Sequence, residues 1–330
     1  METNKVANLD KIRNKRDLSF FDLYSVDQLT KDDLSLIYDV AREFRKLKTA
    51  KLSLNKGASM INAFFESSTR TLASFDLSAK QLSMDTTSVG SNSSIKKKES
   101  FLDTAETVDA MNVKIIVIRS AEAGVSEFIS RHTKASVLNA GDGWHEHPTQ
   151  ALLDTLTMLD YFKSNDLMDK TVTIVGDIMH SRVFGSLVRL LKKLGAEIRV
   201  SAPDTLLPVN VEKFGVKVFY NVEEALKNAD VVYALRVQEE RGAKGFIPSI
   251  REYSKMYGIS KKRLDLAKEN AILMHPGPVI RDIDVHSALV TLDSRSHILQ
   301  QVENGLAIRK TLLWLLVNRY DKREKEFTLK

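Results

Sequence analysis

The sequence predicts an α/β protein built from parallel β-sheets in two domains. Short runs rich in Val and Ile recur along the chain, and stretches with helical periodicity separate them. Runs of this kind fit strands that are buried on both faces, and their alternation with helices favours parallel sheets with covering helices. The chain has 330 residues, which exceeds what one hydrophobic core usually serves, so two domains are expected.

Eight apolar runs are the predicted strands, and several segments carry helical patterns. The strands are residues 60–65, 115–118, 136–138, 172–175, 198–200, 216–219, 231–234 and 271–274. A helix is predicted after Thr30, whose hydroxyl can cap it, because apolar residues repeat at helical spacing from Leu34 to Phe44. Further helices are predicted after residue 71, at 148–162 and, in a long amphipathic pattern, at 296–320.

The first domain is expected to comprise residues 1–148 together with the C-terminal helix at 305–330, and the second to comprise residues 149–304. The boundary is placed near the start of the helix at 148–162, because a new strand–turn–helix unit begins after it, at 171–195. The last helix could return to the first domain and tie the two domains together.

The composition excludes several classes of protein. The net charge of +6, from 49 basic and 43 acidic residues, suits small anionic substrates. The densest basic cluster, at 96–98, has no aromatic side chains between its lysines, so nucleic-acid binding is not expected. The chain has no cysteine, which excludes disulfides and cysteine metal sites and favours a cytoplasmic location. No signal peptide is visible, and the apolar run at 312–317 is far too short to span a membrane.

Residues 67–71 form the most informative motif. They read Ser-Ser-Thr-Arg-Thr and lie between an apolar run and a helical pattern. A helix start offers unpaired backbone N–H groups and a positive dipole end. Four hydroxyls and the guanidinium of Arg70 at such a place predict a site for a dianionic phosphate. The simpler alternative is that Ser67 or Ser68 only caps the helix.

Two further groups follow predicted strands of the first half. Arg119 directly follows an apolar run, although a surface charge is the alternative interpretation. The segment at 141–150 reads Gly-Asp-Gly-Trp-His-Glu-His-Pro-Thr-Gln, in which His147 could polarise a carbonyl and Gln150 could bind an amide or amino group. A metal bound by His145 and His147 is the rival, but no third ligand stands at a recognisable spacing, so no metal is expected.

Arginines also follow two predicted strands of the second half. The segment at 176–182 opens a helix but lacks the three-glycine dinucleotide fingerprint, and the chain has no P-loop, so a nucleotide cofactor is not expected. Arg182 and Arg236 instead suggest a dicarboxylate ligand, with solvated surface charges as the alternative. After the last predicted strand, His-Pro-Gly-Pro at 275–278 leaves backbone carbonyls free to accept from a ligand.

These segments, in this order, closely resemble those of aspartate carbamoyltransferase catalytic chains, over about residues 18–319. The shared motifs are Phe-Glu-Ser-Ser-Thr-Arg-Thr at 65–71, His-Pro-Thr-Gln at 147–150, Arg-Val-Gln at 236–238 and His-Pro-Gly-Pro at 275–278. The combination is highly specific, whereas each motif alone would be weak. Some relatives carry Leu where Gly277 stands, but glycine can still present its carbonyl.

The resemblance implies two doubly wound parallel-sheet domains of the aspartate/ornithine carbamoyltransferase type, joined by interdomain helices. The first would bind carbamoyl phosphate and the second L-aspartate. The implied reaction transfers the carbamoyl group of carbamoyl phosphate to the amino group of L-aspartate, giving N-carbamoyl-L-aspartate and phosphate. This is an early committed step of de novo pyrimidine biosynthesis, and it requires no cofactor.

The resemblance also implies a role for each site residue. Carbamoyl phosphate is expected to contact Ser68, Thr69, Arg70, Thr71, Arg119, His147, Gln150 and the backbone carbonyls of Pro276 and Gly277. L-aspartate is expected to contact Lys97, Arg182, Arg236 and Gln238. Catalysis is assigned to Arg70, Thr71, Lys97, Arg119 and His147. A cis peptide bond is implied between Gly277 and Pro278.

The resemblance further implies a homotrimer with shared active sites. A loop from the neighbouring subunit would supply Ser93 and Lys97, with the adjacent serines and lysines of 91–98 as alternative assignments. A regulatory chain or a dihydroorotase could also bind, and residues 1–17 lie outside the resemblance.

Two other functions stay open. Ornithine carbamoyltransferases share the Ser-Thr-Arg-Thr motif, but they meet ornithine with a His-Cys-Leu-Pro segment, whereas this chain has no cysteine and carries Arg236 where a cationic substrate would be repelled. The second alternative is a non-catalytic homologue that acts as a scaffold. Such a chain would be expected to lack several of the arginines, all of which are present.

Overall fold

A computed structural model describes residues 8–12, 14, 16–47, 51–90, 100–238 and 245–328. The chain forms two compact units. Unit 1 comprises Met1–Leu152 and Glu303–Lys330, and unit 2 comprises Leu153–Val302. Unit 1 is therefore assembled from both ends of the chain, and unit 2 from its middle.

Unit 1 contains a four-stranded parallel sheet. Its strands are β1 (Ser59–Phe64), β2 (Asp85–Gly90), β3 (Ile115–Ser120) and β4 (Ser136–Asp142), in the order β2-β1-β3-β4. Its helices are α1 (Lys31–Lys46), α2 (Thr69–Gln81), α3 (Phe101–Ala110), α4 (Val125–Ser130) and the beginning of α5 (Pro148–Phe162). Short 3₁₀ turns occur at Val26–Gln28 and Ser53–Asn55.

Strands β1, β3 and β4 of unit 1 are buried on both faces. Ile61 and Ala63 of β1 belong to one apolar cluster with Ile116 of β3, Val108 of α3 and Ile129 of α4. The residues between them on β1 are also buried, so residues of both faces are shielded from water. This burial explains why the strands read as continuous apolar runs rather than as alternating patterns.

Unit 2 contains a five-stranded parallel sheet. Its strands are β5 (Thr171–Val175), β6 (Glu197–Ser201), β7 (Lys217–Val218), β8 (Val231–Ala234) and β9 (Ile272–Met274), in the order β7-β6-β5-β8-β9. Its helices are α6 (Arg182–Lys193), α7 (Val222–Leu226), α8 (Ile250–Tyr257), α9 (Lys261–Leu264) and α10 (Ser287–Thr291). Short 3₁₀ turns occur at Asp204–Leu206 and Val211–Phe214.

Two helices end the chain, and they differ from the predicted single helix at 296–320. They are α11 (Ile298–Val317) and α12 (Tyr320–Thr328). The prediction of an amphipathic helix was wrong for the second half of α11, because all residues from 307 to 316 are buried. Trp314 there meets Phe44 of α1 edge to face, with 5.8 Å between the ring centroids.

The predicted α/β architecture is confirmed, since both sheets are parallel and all eight predicted runs overlap strands. Strand β2 was missed because its sequence, Asp-Thr-Thr-Ser-Val-Gly, carries little apolar signal. It lies at the edge of the sheet, where a strand is less buried and needs fewer apolar side chains. Within the described ranges, none of the helices combines the length and apolar character that crossing a lipid bilayer requires.

Each sheet has a point at which its strand order reverses. In unit 1 the chain runs from β1 outward to β2 and then returns to the other side of β1 with β3. In unit 2 it runs from β5 outward through β6 to β7 and returns beside β5 with β8. Ligands of parallel α/β folds bind beyond the carboxyl ends of the strands at such switch points. Ligands are therefore expected beyond the carboxyl ends of β1, β3, β5 and β8.

Candidate active site

Helix α2 begins directly after β1, at the switch point of unit 1. Ser68 is its N-cap residue, and the Ser68 side chain makes no capping hydrogen bond. The first intrahelical bond runs from the Leu72 N–H to the Ser68 carbonyl, at 3.1 Å, so the N–H groups of the preceding first turn have no partner within the helix. Thr69 and Arg70 are exposed. The alternative that a serine hydroxyl serves only as a cap is therefore not supported.

Arg119 lies near the carboxyl end of β3, the other strand of the same switch point. It pairs with Phe64 across the β1–β3 ladder, and only 8% of it is exposed. Its Nη1 donates to the Ala140 carbonyl at 3.0 Å, and its Nη2 donates to Glu66 Oε1 at 3.3 Å. The surface-charge alternative for Arg119 is wrong, because these two bonds hold a buried guanidinium between β4 and the segment that follows β1.

Asp142, at the end of β4, organises the loop that leads to His147. Its carboxylate accepts from the Gly124 N–H at 2.8 Å, the Asn139 side chain at 2.8 Å and the Glu146 N–H at 3.1 Å. His145 Nδ1 lies 3.1 Å from the same carboxylate. Burial alone would raise the pKa of Asp142, but the hydrogen bonds, first those from His145 and Asn139, outweigh burial and lower the pKa below its ordinary value. The hydrogen bonds of the loop therefore favour the ionised form of Asp142.

Glu146 fixes the other side of this loop. Its carboxylate, fully buried, accepts from the Ser25 hydroxyl at 2.5 Å and from the Val26 N–H at 2.9 Å. His147 is next in sequence, is 4% exposed, and accepts the Gln150 N–H at 2.9 Å through its carbonyl. His147 and Gln150 thus stand at the first turn of α5, beyond the carboxyl end of β4.

The rival interpretation of His145 and His147 as metal ligands finds no support in this geometry. The His145 ring faces Asp142, and the Glu146 carboxylate is occupied by Ser25 and Val26. In the described part of the chain, no three acidic or histidine side chains are grouped so that they could hold a metal ion.

Arg182 occupies the first turn of α6, at the switch point of unit 2. The Ser181 hydroxyl caps this helix by accepting from the Phe184 N–H at 3.3 Å. Only 2% of Arg182 is exposed, so it is not the solvated surface charge that the sequence left open. A charged side chain buried to this extent is rarely tolerated without partners.

Asp177 ties the segment before α6 to the segment after β8. The Asp177 carboxylate is fully buried, and it accepts from the His180 N–H at 3.1 Å and from the Gln238 N–H at 3.0 Å. His180 Nδ1 lies 2.9 Å from the same carboxylate. One carboxylate therefore sets the spacing between the segment that carries Arg182 and the one that carries Arg236.

Gly176 allows the segment before α6 and the segment after β8 to approach each other closely. A Cβ atom at Gly176, whose φ is +131°, would lie 2.3 Å from the Leu235 carbonyl oxygen, so no other residue fits there without a backbone shift. Beyond Leu235, the partly buried Arg236 donates from Nη2 to Gln238 Oε1 at 3.2 Å. Gln238 therefore orients the guanidinium of Arg236.

The segment at 275–278 follows β9 in unit 2. His275 is 1% exposed, whereas Pro276 and Gly277 are partly buried. Gly277 has φ +68°, in the left-handed region that suits glycine, and the predicted cis peptide bond between Gly277 and Pro278 is confirmed. Ser93 and Lys97, the two residues assigned to a neighbouring subunit, lie outside the described residues.

Two family models match this chain. The carbamoyl-P binding domain of aspartate/ornithine carbamoyltransferases matches residues 22–160, and the Asp/Orn binding domain matches residues 168–316. This chain belongs to the aspartate/ornithine carbamoyltransferase family. The resemblance to aspartate carbamoyltransferase catalytic chains, and the fold expected from it, are confirmed.

Individual members of the family agree with this assignment. The aspartate carbamoyltransferase catalytic subunit of Desulforamulus reducens is 46% identical over 299 residues, which cover 89% of this chain and 95% of that protein. The corresponding subunit of Acetivibrio thermocellus is 45% identical over 305 residues, 90% of this chain and 96% of that protein.

Solved structures agree as well. Aspartate transcarbamoylase from Trypanosoma cruzi, in complex with N-(phosphonacetyl)-L-aspartic acid, superimposes with a TM-score of 0.79 at 30% identity, covering 89% of this chain and 94% of that one. Ornithine carbamoyltransferase from Thermus thermophilus also reaches a TM-score of 0.79, covering 90% and 99% of the two chains, but at 23% identity it bears on the fold alone.

Sequence reasoning missed four buried or partly buried carboxylates that hold the segments of the candidate site in place. Glu66, Asp142, Glu146 and Asp177 each contact a partner that is remote in sequence, such as Glu146 with Val26. No local pattern signals such pairs. The available hint was position, because Glu66 and Asp177 lie just beyond the carboxyl ends of predicted strands, and Asp142 and Glu146 lie in the segment that follows the predicted strand at 136–138.

Proposed function

We propose that this chain transfers the carbamoyl group of carbamoyl phosphate to the amino group of L-aspartate, as an early step of pyrimidine biosynthesis. One observation carries the choice of acceptor. Arg182 and Arg236 follow β5 and β8, the adjacent strands of unit 2 at its switch point. Two guanidinium groups suit the two carboxylates of aspartate, whereas they would repel a cationic amino acid such as ornithine.

Unit 1 supplies the binding groups for carbamoyl phosphate. Ser68, Thr69, Arg70 and Thr71 lie at the start of α2, where backbone N–H groups and the helix dipole favour a phosphate. Arg119 lies near the carboxyl end of the neighbouring strand β3 and adds a fixed positive charge. We assign the carbonyl oxygen of the substrate to Thr71, Arg119 and His147, and its amino group to Gln150 and the carbonyls of Pro276 and Gly277.

The reaction follows from these roles. The neutral amine of aspartate attacks the carbamoyl carbon, so negative charge develops on the carbonyl oxygen. Thr71, Arg119 and His147 stabilise that charge, and one preorganised donor of this kind typically contributes ~3 kcal/mol. The C–O bond to phosphate then breaks, Arg70 neutralises the departing phosphate, and the phosphate accepts the proton of the attacking amine.

An assay with two acceptors tests this proposal against its alternatives. The purified protein is mixed with carbamoyl phosphate and either L-aspartate or L-ornithine, and the ureido product is measured. We expect carbamoyl-aspartate and no citrulline. Product with ornithine alone would contradict the assignment of the acceptor, and a folded protein without either activity would be the non-catalytic scaffold.

We also propose that the active site is shared within a homotrimer and that Ser93 and Lys97 act in the neighbouring subunit. Variants Arg70→Ala and Lys97→Ala should each be nearly inactive, because both remove a positive charge from the phosphate site. Mixed under conditions where subunits exchange, the two variants should regain activity, since some sites then combine intact halves. If demonstrated exchange restores nothing, the shared site is wrong. The cytoplasmic location and any regulatory or dihydroorotase partner stay predictions.

A further inference from the structure

We propose that His275 is a positioning residue whose neutral Nε2–H tautomer, held by Asp284, aims the Pro276 carbonyl at the substrate. The proposal rests on the proposed function, because that function assigns the carbonyls of Pro276 and Gly277 to the carbamoyl amino group. His275 itself is buried behind this segment, and no step of the reaction above uses it.

The hydrogen bonds of the His275 ring define its tautomer. Nδ1 lies 2.8 Å from the Gly277 backbone nitrogen. A backbone N–H can only donate, so Nδ1 must be the acceptor and carries no proton. Nε2 lies 3.3 Å from Asp284 Oδ2, where a carboxylate needs a donor. The proton of a neutral ring therefore resides on Nε2, and a doubly protonated ring would lose the bond to Gly277.

The bond to Nδ1 fixes the direction of a carbonyl. The peptide unit between Pro276 and Gly277 is planar and trans, so its N–H and C=O point in opposite directions. Because the Gly277 N–H points at the buried ring, the Pro276 carbonyl points away from it. The His275 ring thus orients the carbonyl to which the proposed function assigns a contact with the substrate.

Asp284 anchors both ends of the segment that carries this carbonyl. Its Oδ2 meets His275 on one side and accepts from the Ile280 N–H at 2.8 Å on the other. Asp284 is 2% exposed, so water does not compete strongly for these bonds. Residues 276–279 are consequently held at their two ends by one carboxylate oxygen.

The backbone of His275 is anchored separately. Its N–H donates to Gln301 Oε1 at 2.9 Å, the Gln301 amide donates to Asp154 Oδ1 at 2.7 Å, and the Tyr233 hydroxyl donates to Asp154 Oδ2 at 2.6 Å. All of these residues belong to unit 2. A change in the ring therefore alters the segment beyond His275 while the backbone of His275 keeps its own support.

Two substitutions of His275 separate its two hydrogen bonds. In His275→Asn, the side-chain oxygen can take the place of Nδ1 and accept from Gly277, while the donor to Asp284 is lost. In His275→Gln, the amide can donate to Asp284, while the acceptor for Gly277 is lost. His286→Gln is the matched control, because His286 lies in the same unit but is 61% exposed on its side chain.

We expect His275→Gln to lower kcat over KM for carbamoyl phosphate by ~10- to 100-fold, the consequence of leaving a backbone donor unpaired and its carbonyl misdirected. His275→Asn should retain most of the activity, and His286→Gln all of it. Inhibition by succinate, a dicarboxylate without the amine, should be unchanged in every variant, because the arginines of unit 2 are untouched. Equal losses in His275→Asn and His275→Gln, or a parallel loss of succinate binding, would show a merely structural role and overturn the proposal.

A measurement on the unaltered protein covers the case in which the variants do not fold. In protein labelled with ¹⁵N-histidine, long-range ¹H–¹⁵N spectra report which ring nitrogen carries the proton. We expect one buried histidine with a pyridine-type Nδ1 and a protonated Nε2 at the pH of the assay. If no histidine of this kind is found, the proposal fails. Absence of carbamoyl-aspartate from the unaltered enzyme would instead refute the proposed function.

Discussion

In both units an arginine stands in the first turn of the helix that follows the central strand, but the two helix starts are built differently. Arg70 at the start of α2 is exposed, whereas Arg182 at the start of α6 is 2% exposed. Ser68 makes no side-chain cap, whereas Ser181 caps α6 through the Phe184 N–H. The Ser68 hydroxyl at the start of α2 is thus not used as a cap, which fits the phosphate site that we propose there, whereas α6 uses the Ser181 hydroxyl for its own stability.

The same contrast extends to the side chains that support each arginine. In unit 2, Asp177 connects the segments before α6 and after β8, and Gln238 orients Arg236. In unit 1, the supported cation is Arg119, which Glu66 and the Ala140 carbonyl hold. A doubly charged phosphate can be met by a helix start and hydroxyls, whereas two separate carboxylates require guanidinium groups at fixed spacing.

The largest expected effect is at the exposed arginine of unit 1. Arg70→Ala should lower kcat over KM by ~1000-fold, because it removes the charge that we propose neutralises the departing phosphate. Steady-state kinetics with both substrates measures the loss. Lys80→Ala, at an exposed lysine of the same helix that pairs with Asp76, is the control and should leave the rate unchanged. Similar losses of kcat over KM in both variants would mean that the total positive charge of α2 matters, rather than the position of Arg70.

A smaller and more selective effect is expected in unit 2. Arg236→Ala should raise the KM for aspartate by ~100-fold, since it removes a guanidinium that we propose as a charge-assisted partner of a substrate carboxylate. Binding of carbamoyl phosphate should change little, and equilibrium binding of that substrate alone measures it. Equal weakening of both substrates would indicate that Arg236 acts structurally, and the contrast between the units would then disappear.

The smallest effects should separate the two serines. Ser181→Ala should lower the free energy of unfolding by about 1 kcal/mol, the usual cost of a lost N-cap, with only a minor change in kinetics. Ser68→Ala should leave the free energy of unfolding nearly unchanged but weaken the binding of carbamoyl phosphate. Chemical denaturation measures the free energy of unfolding of both variants, and steady-state kinetics measures their KM for carbamoyl phosphate. Each variant is the control for the other. A stability loss in Ser68→Ala equal to that in Ser181→Ala would show that Ser68 is a structural cap.

Sequence reasoning predicted those parts of the fold whose signal is local. The apolar run at β1 and the Ser-Ser-Thr-Arg-Thr segment after it predicted a strand and a helix start, and both are present. The polar edge strand β2 and the burial of Arg309 and Lys310 in α11 were not predicted. Burial lowers the pKa of Lys310, and nothing in the helical pattern signals such an environment. Strand ends could be located from sequence, but remote partners, such as the Glu66 carboxylate that pairs with Arg119 and the Asp177 carboxylate that accepts from the Gln238 N–H, could not.

The assembly of unit 1 from both ends of the chain has a consequence for its synthesis. Asn55 donates to the Leu313 carbonyl at 3.3 Å, and the Ser78 hydroxyl donates to the Leu306 carbonyl at 3.3 Å. A nascent chain on the ribosome therefore holds α2 and the turn at Ser53–Asn55 without their partner helix α11 until all of unit 2 has been translated. Domains usually mature in the order in which they emerge, but here the middle of the polypeptide can complete its core before the beginning does.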